Sequence, residues 1–258
     1  MNLAPIPRLV PVETLFEWEN PASVPSDLVT VVVSLYNYAR FLPDCLDSVQ
    51  AQCHPSIDLI VVDDDSRRDG SLAVADQWLR QHAEVFARVL LLRHGRNQGL
   101  AETRNTGFLA ARSDPVFVLD ADNMIYPRAL ARLYEVIRRG EFAAAYTQLE
   151  FFGSEQRLGL ADVFQRDRFV QGNYVDAMAL VSKAAWEAVG GYTHIEGGWE
   201  DYDFWCKLIE HGLAAAYVPE ILCRYRVHAG SMLRNDTLRT HRRIVAEMTI
   251  RHPWLSLR

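Results

Sequence analysis

Short apolar runs alternate along this chain with stretches whose apolar residues recur every three or four positions, and that alternation dictates most of the fold. Val29–Leu35 is β-branched and apolar, which predicts a buried strand. Phe41, Leu42, Cys45, Leu46 and Val49 then recur at helical spacing, with Pro43 tolerated in the first turn. The same reading predicts strands over Ile57–Val62, Val89–Leu92 and Val116–Leu119. Helices are predicted around Leu72–Leu79, from Leu100 to Arg112, and from Pro127 to Arg138, where Gly140 stops the last. Strands alternating with helices mean a mostly parallel sheet covered on both faces, with ligands bound beyond the carboxyl ends of its strands.

Outside this region the pattern changes. Residues 1–27 hold five prolines (Pro5, Pro7, Pro11, Pro21, Pro25) and little periodicity, as expected of an extended arm that Val12, Leu15, Phe16 and Trp18 dock onto the body. Beyond residue 143 the alternation loosens into strands at 143–151, 175–181 and 215–227, a short helix at 183–188 and another at 202–211. The division expected is an N-terminal arm (1–27), one α/β domain (28–235) and a C-terminal helical segment (236–258). In that last segment Leu238, Ile244, Val245, Met248 and Ile250 alternate with basic residues.

Composition adjusts this picture only in places. The 258 residues are 49% hydrophobic and 23% charged, enough for a sizeable core. A formal charge of −6 argues against nucleic acid as a partner, because neutralising phosphates needs a basic face. Cys45, Cys53, Cys206 and Cys223 lack metal-site spacing and read as reduced thiols. No run approaches the roughly 20 apolar residues of a membrane span, and no secretory leader is evident. A cytoplasmic protein is expected; peripheral attachment to the membrane's cytoplasmic face and a homodimer both stay open.

Three acidic clusters fall at expected strand ends or loops. Asp63-Asp64-Asp65-Ser66 follows the second strand, where a carboxylate can accept from a nucleobase or ribose, or cap the next helix. Asp120-Ala121-Asp122 follows the fourth. Two carboxylates two positions apart in extended chain share a face and can reach one divalent cation. In Gly197-Gly198-Trp199-Glu200-Asp201-Tyr202-Asp203, glycines precede an aromatic ring and an acidic helix start. A carboxylate there can take a proton, or simply suit the helix dipole. His228, after the last strand, is a competent ligand beside carboxylates, and Arg226 can clamp a phosphate.

Taken in order from Val29 to Ser231, these segments resemble glycosyltransferase family 2, the inverting transferases of GT-A fold. Val31-Val32-Val33-Ser34-Leu35-Tyr36-Asn37 is similar to the family's opening strand, and Val61-Val62-Asp63-Asp64-Asp65-Ser66 with Asp69-Gly70-Ser71 to its VDDGSxDGT segment. Asn97-Gln98-Gly99-Leu100-Ala101-Glu102-Thr103-Arg104-Asn105-Thr106-Gly107 resembles NxGLAxARNxG. Asp120-Ala121-Asp122, Glu200-Asp201 and Arg226-x-His228 match the DxD, ED and RxH motifs. Asp65 stands where the family often has glycine, and Ser66–Asp69 is one residue longer than usual.

The resemblance implies a GT-A fold and an enzyme that transfers a sugar from a nucleoside-diphosphate sugar (UDP, GDP or dTDP type) to a carbohydrate or other hydroxyl acceptor. It also implies Mn²⁺ or Mg²⁺ as cofactor. Tyr36 would stack on the base and Asp64 bond its edge, with Ser34, Asp63, Asn97, Gly99 and Ala121 lining the donor. Asp120 would contact the ribose or metal-bound water, and Asp122 with His228 would ligate the ion. Arg104 and Arg226 would support the phosphates or their neighbours, Trp199 and Glu200 the acceptor, and Asp201 would be the base. A phosphatase of the haloacid dehalogenase type also carries Asp-x-Asp, but Asn123-Met124 follows here and no later GDxxxD appears. A non-catalytic sugar- or nucleotide-binding module of the same fold is the other alternative.

Overall fold

The computed structural model describes residues 8–21, 27–229 and 238–257. Parts of the arm, Ser231 and the ends of the C-terminal segment lie outside the described residues. Among the described residues ten strands form one mixed sheet: β1 (Val12–Glu19), β2 (Val29–Leu35), β3 (Ile57–Asp63), β4 (Arg88–His94), β5 (Pro115–Asp120), β6 (Met124–Ile125), β7 (Ala144–Gly153), β8 (Arg157–Leu158), β9 (Ala179–Ser182) and β10 (Ala215–Val227). The order is β1-β4-β3-β2-β5-β9-β7-β10-β6, with β8 paired to β7. β4, β3, β2 and β5 are parallel neighbours, whereas β9 runs antiparallel between β5 and β7.

The helices are α1 (Leu42–Gln50), α2 (Ser71–His82), α3 (Leu100–Ala110), α4 (Ala129–Ile137), α5 (Arg166–Phe169), α6 (Lys183–Ala188), α7 (Glu200–Glu210) and α8 (Leu238–Arg251). The period of two in each strand sorts side chains between two cores. Val31, Val33, Leu59, Val61, Phe117 and Leu119 meet α1, α2 and α4 on one face. Val32, Ile60, Val62, Val116 and Val118 meet α3, α6, α7 and α8 on the other. Burial on both faces explains why these strands read as unbroken apolar runs.

Three differences from the sequence reading have local causes. The arm contributes a true edge strand, because the proline-free stretch Val12–Glu19 pairs antiparallel with β4. β9 starts at Ala179 instead of 175, leaving 173–178 as a loop at the sheet's carboxyl edge. The helix expected from Pro127 begins at Ala129. α3 packs unusually close to the sheet: a Cβ on Gly107 would lie 2.2 Å from Val32 Cγ1.

Candidate active site

The ends of β2 and β3 place Ser34, Tyr36, Asp63 and Asp64 together, yet with different freedom. Tyr36 is exposed, its ring available to a ligand. Ser34 Oγ is buried with no hydrogen-bond partner among the described residues. Asp63 is fully buried and accepts from the Ser66 N–H at 3.2 Å; burial pushes its carboxyl above the usual carboxylate range.

Asp64 is held by three protein groups. Its Oδ1 takes the His94 Nδ1–H at 2.7 Å and the Gln98 N–H at 2.8 Å, and its Oδ2 the Gly99 N–H at 2.8 Å. A carboxylate so occupied anchors the 97–99 loop and has little left for a base edge. Asn97 joins the same anchor, donating from Nδ2 to the Asp64 carbonyl at 3.4 Å. Gly99 adopts φ +95, and a Cβ there would meet His194 Nδ1 at 2.7 Å, so this turn requires glycine. His94, which the sequence reading passed over, is fully buried and spans from Asp64 to Thr106 Oγ1 at 2.9 Å.

At the end of β5 the Asp-Ala-Asp segment divides its two carboxylates. Ala121 is buried, and its N–H donates to the Ser34 carbonyl, which ties the turn to β2. Asp120 accepts from Arg104 Nη2 at 3.0 and 3.2 Å, and Arg104 Nη1 donates to Glu200 Oε1 at 2.9 Å. Arg104 is buried with its two Nη atoms on those two carboxylates, so it bridges the site. Arg226 is likewise engaged: Nε donates to the Asp122 carbonyl and Nη2 to Asp44 Oδ2, both at 2.8 Å, and its backbone N–H to Asn123 Oδ1 at 2.9 Å. It locks the loop that carries Asp122.

Asp122 Oδ2 faces His228 Nε2 at 3.0 Å. Burial raises the Asp122 carboxyl more than the His228 hydrogen bond lowers it. Two donors bound at right angles about 2.1 Å from one ion stand about 3.0 Å apart, so this pair fits a divalent cation. No cluster of three or more His, Cys, Asp or Glu residues able to hold a metal occurs among the described residues. Beside the pair, Arg40, Phe41, Ser154, Arg226 and His228 line a cleft of about 330 Å³.

On the far side of Arg104, the loop before α7 carries Gly197 at φ +97, Gly198 at φ +114 and Trp199 at φ +70. A left-handed tryptophan is uncommon and stands the ring at the head of the helix, edge-on to Tyr202 and His241. Asp201, one residue into α7, accepts from Asn173 Nδ2 at 2.9 Å and from the Tyr202 N–H at 2.8 Å. Its carboxyl is pushed up to about 7, first by burial and then by Glu200, against the pull of Arg104. Asn173, which bonds Asp201, and Asp176, which acts on it electrostatically, belong to no motif of the sequence.

A family model described as Glycosyl transferase family 2 matches residues 30–177. An uncharacterized glycosyltransferase of Nostoc sp. is 33% identical over 129 residues, which is 50% of this chain and 38% of that relative. Among solved structures, S. aureus TarS 1–349 in complex with UDP-GlcNAc superposes with a TM-score of 0.70 at 15% identity, over 86% of this chain and 66% of that one. The mannosyltransferase PcManGT from Pyrobaculum calidifontis, in complex with GDP-Man and Mn²⁺, gives 0.64 at 21% identity, over 87% and 62%. The chain thus spans less than two thirds of each of these proteins. At such identities the structural likeness establishes the fold, which is GT-A.

Proposed function

The chain belongs to glycosyl transferase family 2, and from that premise we propose that it moves a sugar from a nucleoside-diphosphate sugar to a hydroxyl acceptor, inverting the anomeric centre. The observation that carries this reading is the Arg104 bridge. One buried guanidinium ties Asp120, beside the Asp122–His228 pair, to Glu200, beside Asp201. The bridge fixes a phosphate-facing half of the site against a base-bearing half, as a single displacement requires.

Asp201 is the base in this scheme. The acceptor oxygen attacks the anomeric carbon from the face opposite the leaving group and gives its proton to the Asp201 carboxylate. The bond to the diphosphate oxygen breaks, and its electron pair leaves with the nucleoside diphosphate. A carboxyl near 7 suits this work, because a base matched to ambient pH transfers protons best. Asp122 and His228 would hold Mn²⁺ or Mg²⁺, which supplies charge neutralisation on the diphosphate. Tyr36 would offer the nucleobase a ring face, with Ser34 and Asp63 beside it at the ends of β2 and β3. Trp199 walls the acceptor side. Arg104, Arg226, Asp64 and Glu200 act by holding other groups in place.

The domain division we propose is an arm over 1–27, a transferase domain over 28–235 and a helical segment over 236–258. A cytoplasmic setting suits the reading, with Cys45, Cys206 and Cys223 buried as free thiols. No helix among the described residues is long and apolar enough to cross a membrane. A thermal-shift screen with UDP, GDP and dTDP, with and without Mn²⁺, tests the proposal. One nucleotide should stabilise the protein, and more so with the ion. Equal melting curves across the whole set would overturn it.

A further inference from the structure

The loop 173–178 spans the gap between the two halves of the site. Asn173 touches Asp201 at 2.9 Å. Three residues beyond Asp176 the chain enters β9, which pairs with β5 as Phe117↔Leu180, Val116↔Val181 and Pro115↔Ser182. The loop joins β9 at the carboxyl end of β5, the end that carries Asp120 and Asp122. The loop therefore runs from the base to the Asp-Ala-Asp turn. In a single displacement the sugar must lie between the attacking oxygen and the leaving diphosphate, so this loop borders the sugar ring.

Most of the loop has other work. Val175, Ala177 and Met178 are buried in the cores, and the Tyr174 hydroxyl donates to the Val163 carbonyl at 2.8 Å. Asn173 is taken by Asp201. That leaves Asp176, the loop's one charged side chain, half-buried. Its Oδ1 accepts from the Met178 N–H at 2.9 Å, and Oδ2 makes no hydrogen bond among the described residues. Asp120, Arg104 and Asp122 all act electrostatically on Asp176, and Asp176 in turn acts on Asp201, so the carboxyl sits among the groups assigned to donor and base.

We propose that Asp176 binds the transferred sugar, accepting a hydrogen bond at Oδ2 from a ring hydroxyl, and so selects donors with a free hydroxyl on the edge facing this loop. The inference rests on the glycosyl-transfer reading. A charged acceptor already held at Oδ1 by a backbone N–H is oriented before the ligand arrives, so a donor lacking that hydroxyl leaves a half-buried carboxylate unpaired.

Calorimetric titration with Mn²⁺ and without acceptor tests it. The probes are UDP, GDP and dTDP, then UDP-glucose, UDP-galactose, GDP-mannose and dTDP-glucose. Asp176→Ala should weaken the sugar-bearing form of the preferred nucleotide by about tenfold or more, the weight of a hydrogen bond to a charged group. Binding of the bare diphosphate should stay within about twofold of wild type, which also certifies the fold. Asp176→Asn, which keeps a neutral acceptor, should fall between. Equal losses for both ligand forms, or no loss for either, overturn the inference and leave the donor-site reading standing. So does wild-type protein that binds a diphosphate but none of the sugar-bearing probes. Wild-type protein that binds no nucleotide removes the donor-site reading and this inference together.

Discussion

Asp122 Oδ2 and His228 Nε2 lie 3.0 Å apart although 106 positions separate them in sequence. The end of β5 and the end of β10 bring them together, with Arg226 pinning the Asp122 carbonyl between. Removing a direct ligand should cost at least as much as disturbing an outer one, about tenfold or more in metal-dependent affinity. Asp122→Ala and His228→Ala should each weaken nucleoside-diphosphate binding with Mn²⁺ present and change metal-free binding far less. Calorimetry with and without Mn²⁺ reads this directly; unchanged metal coupling in both variants would remove the ligand assignment.

Asp201 makes a prediction of opposite sign for rate and for stability. As a base it must be ionised, so transfer should rise with pH through about 7 and then level off. For folding, a carboxyl raised above its ordinary value of about 3.9 leaves the native state binding more protons than the unfolded one, so stability declines as pH climbs from about 4 to about 7. Asp201→Asn should lose roughly 10²–10⁴-fold in transfer, still bind nucleotide, and melt at or above the wild-type temperature at pH 8. A variant that retains transfer, or that melts lower at pH 8, contradicts the role or the strain assigned here.

Arg104 stands between Asp120 and Glu200 with its guanidinium buried. Arg104→Met would leave two carboxylates without their counter-charge, and breaking a buried pair in this way costs about 3–5 kcal/mol. Urea denaturation should show that loss, with the Asp120→Asn/Glu200→Gln/Arg104→Met triple variant recovering part of it. A phosphate-binding arginine, by contrast, would lose nucleotide affinity with little change in stability.

These contrasts mark where the chain is readable from its sequence and where it is not. The parallel half follows from its apolar runs because both faces of β2, β3 and β5 are covered, and strand ends locate Asp63, Asp120 and Asp122. What a carboxylate does at a strand end is settled by partners far along the chain. Asp64 is claimed by His94, Gln98 and Gly99. Arg104 sits on a helix buried nearly all round, so its polar residues face inward where amphipathic reasoning expects solvent. Asp176 lies in a loop that reads as strand, since Val175 and Ala177–Val181 are apolar although the pairing of β9 begins only at Ala179.

Gly107 owes its place to closeness. A methyl group there would come within 2.2 Å of Val32 Cγ1 and 2.7 Å of Cγ2, where α3 packs on β2. Gly107→Ala should destabilise by about 1–3 kcal/mol through overpacking. Adding Val32→Ala should return some of that loss even though it destabilises alone. Additive losses in a double-mutant cycle would mean that the helix simply shifts away.

The last prediction concerns Asp203, fully buried on α7 two residues from the proposed base. Burial alone would raise its carboxyl, but the hydrogen bond from His252 and the charges of Lys207 and Arg251 outweigh it and hold the group well below the usual range. His252 faces carboxylates at both ring nitrogens, Glu210 at 2.7 Å on Nδ1 and Asp203 at 3.1 Å on Nε2. Both nitrogens can donate only in the imidazolium, and burial, which lowers the ring, is outweighed by these two hydrogen bonds, so its proton is held above the ordinary value. A histidine raised in this way contributes fully below about 6.5 and loses its contribution as pH rises through the native value. Asp203, depressed, loses its share only as pH falls below about 4. His252→Gln should therefore cost about 1.5–3 kcal/mol near pH 6, with the gap to wild type narrowing steadily toward pH 9. Urea midpoints across that range measure the gap, and a constant difference would mean the ring is neutral throughout. Because the clamp ties the segment after α8 to the helix that carries Asp201, the same variant should raise KM for acceptor above pH 6 less than it does at pH 6.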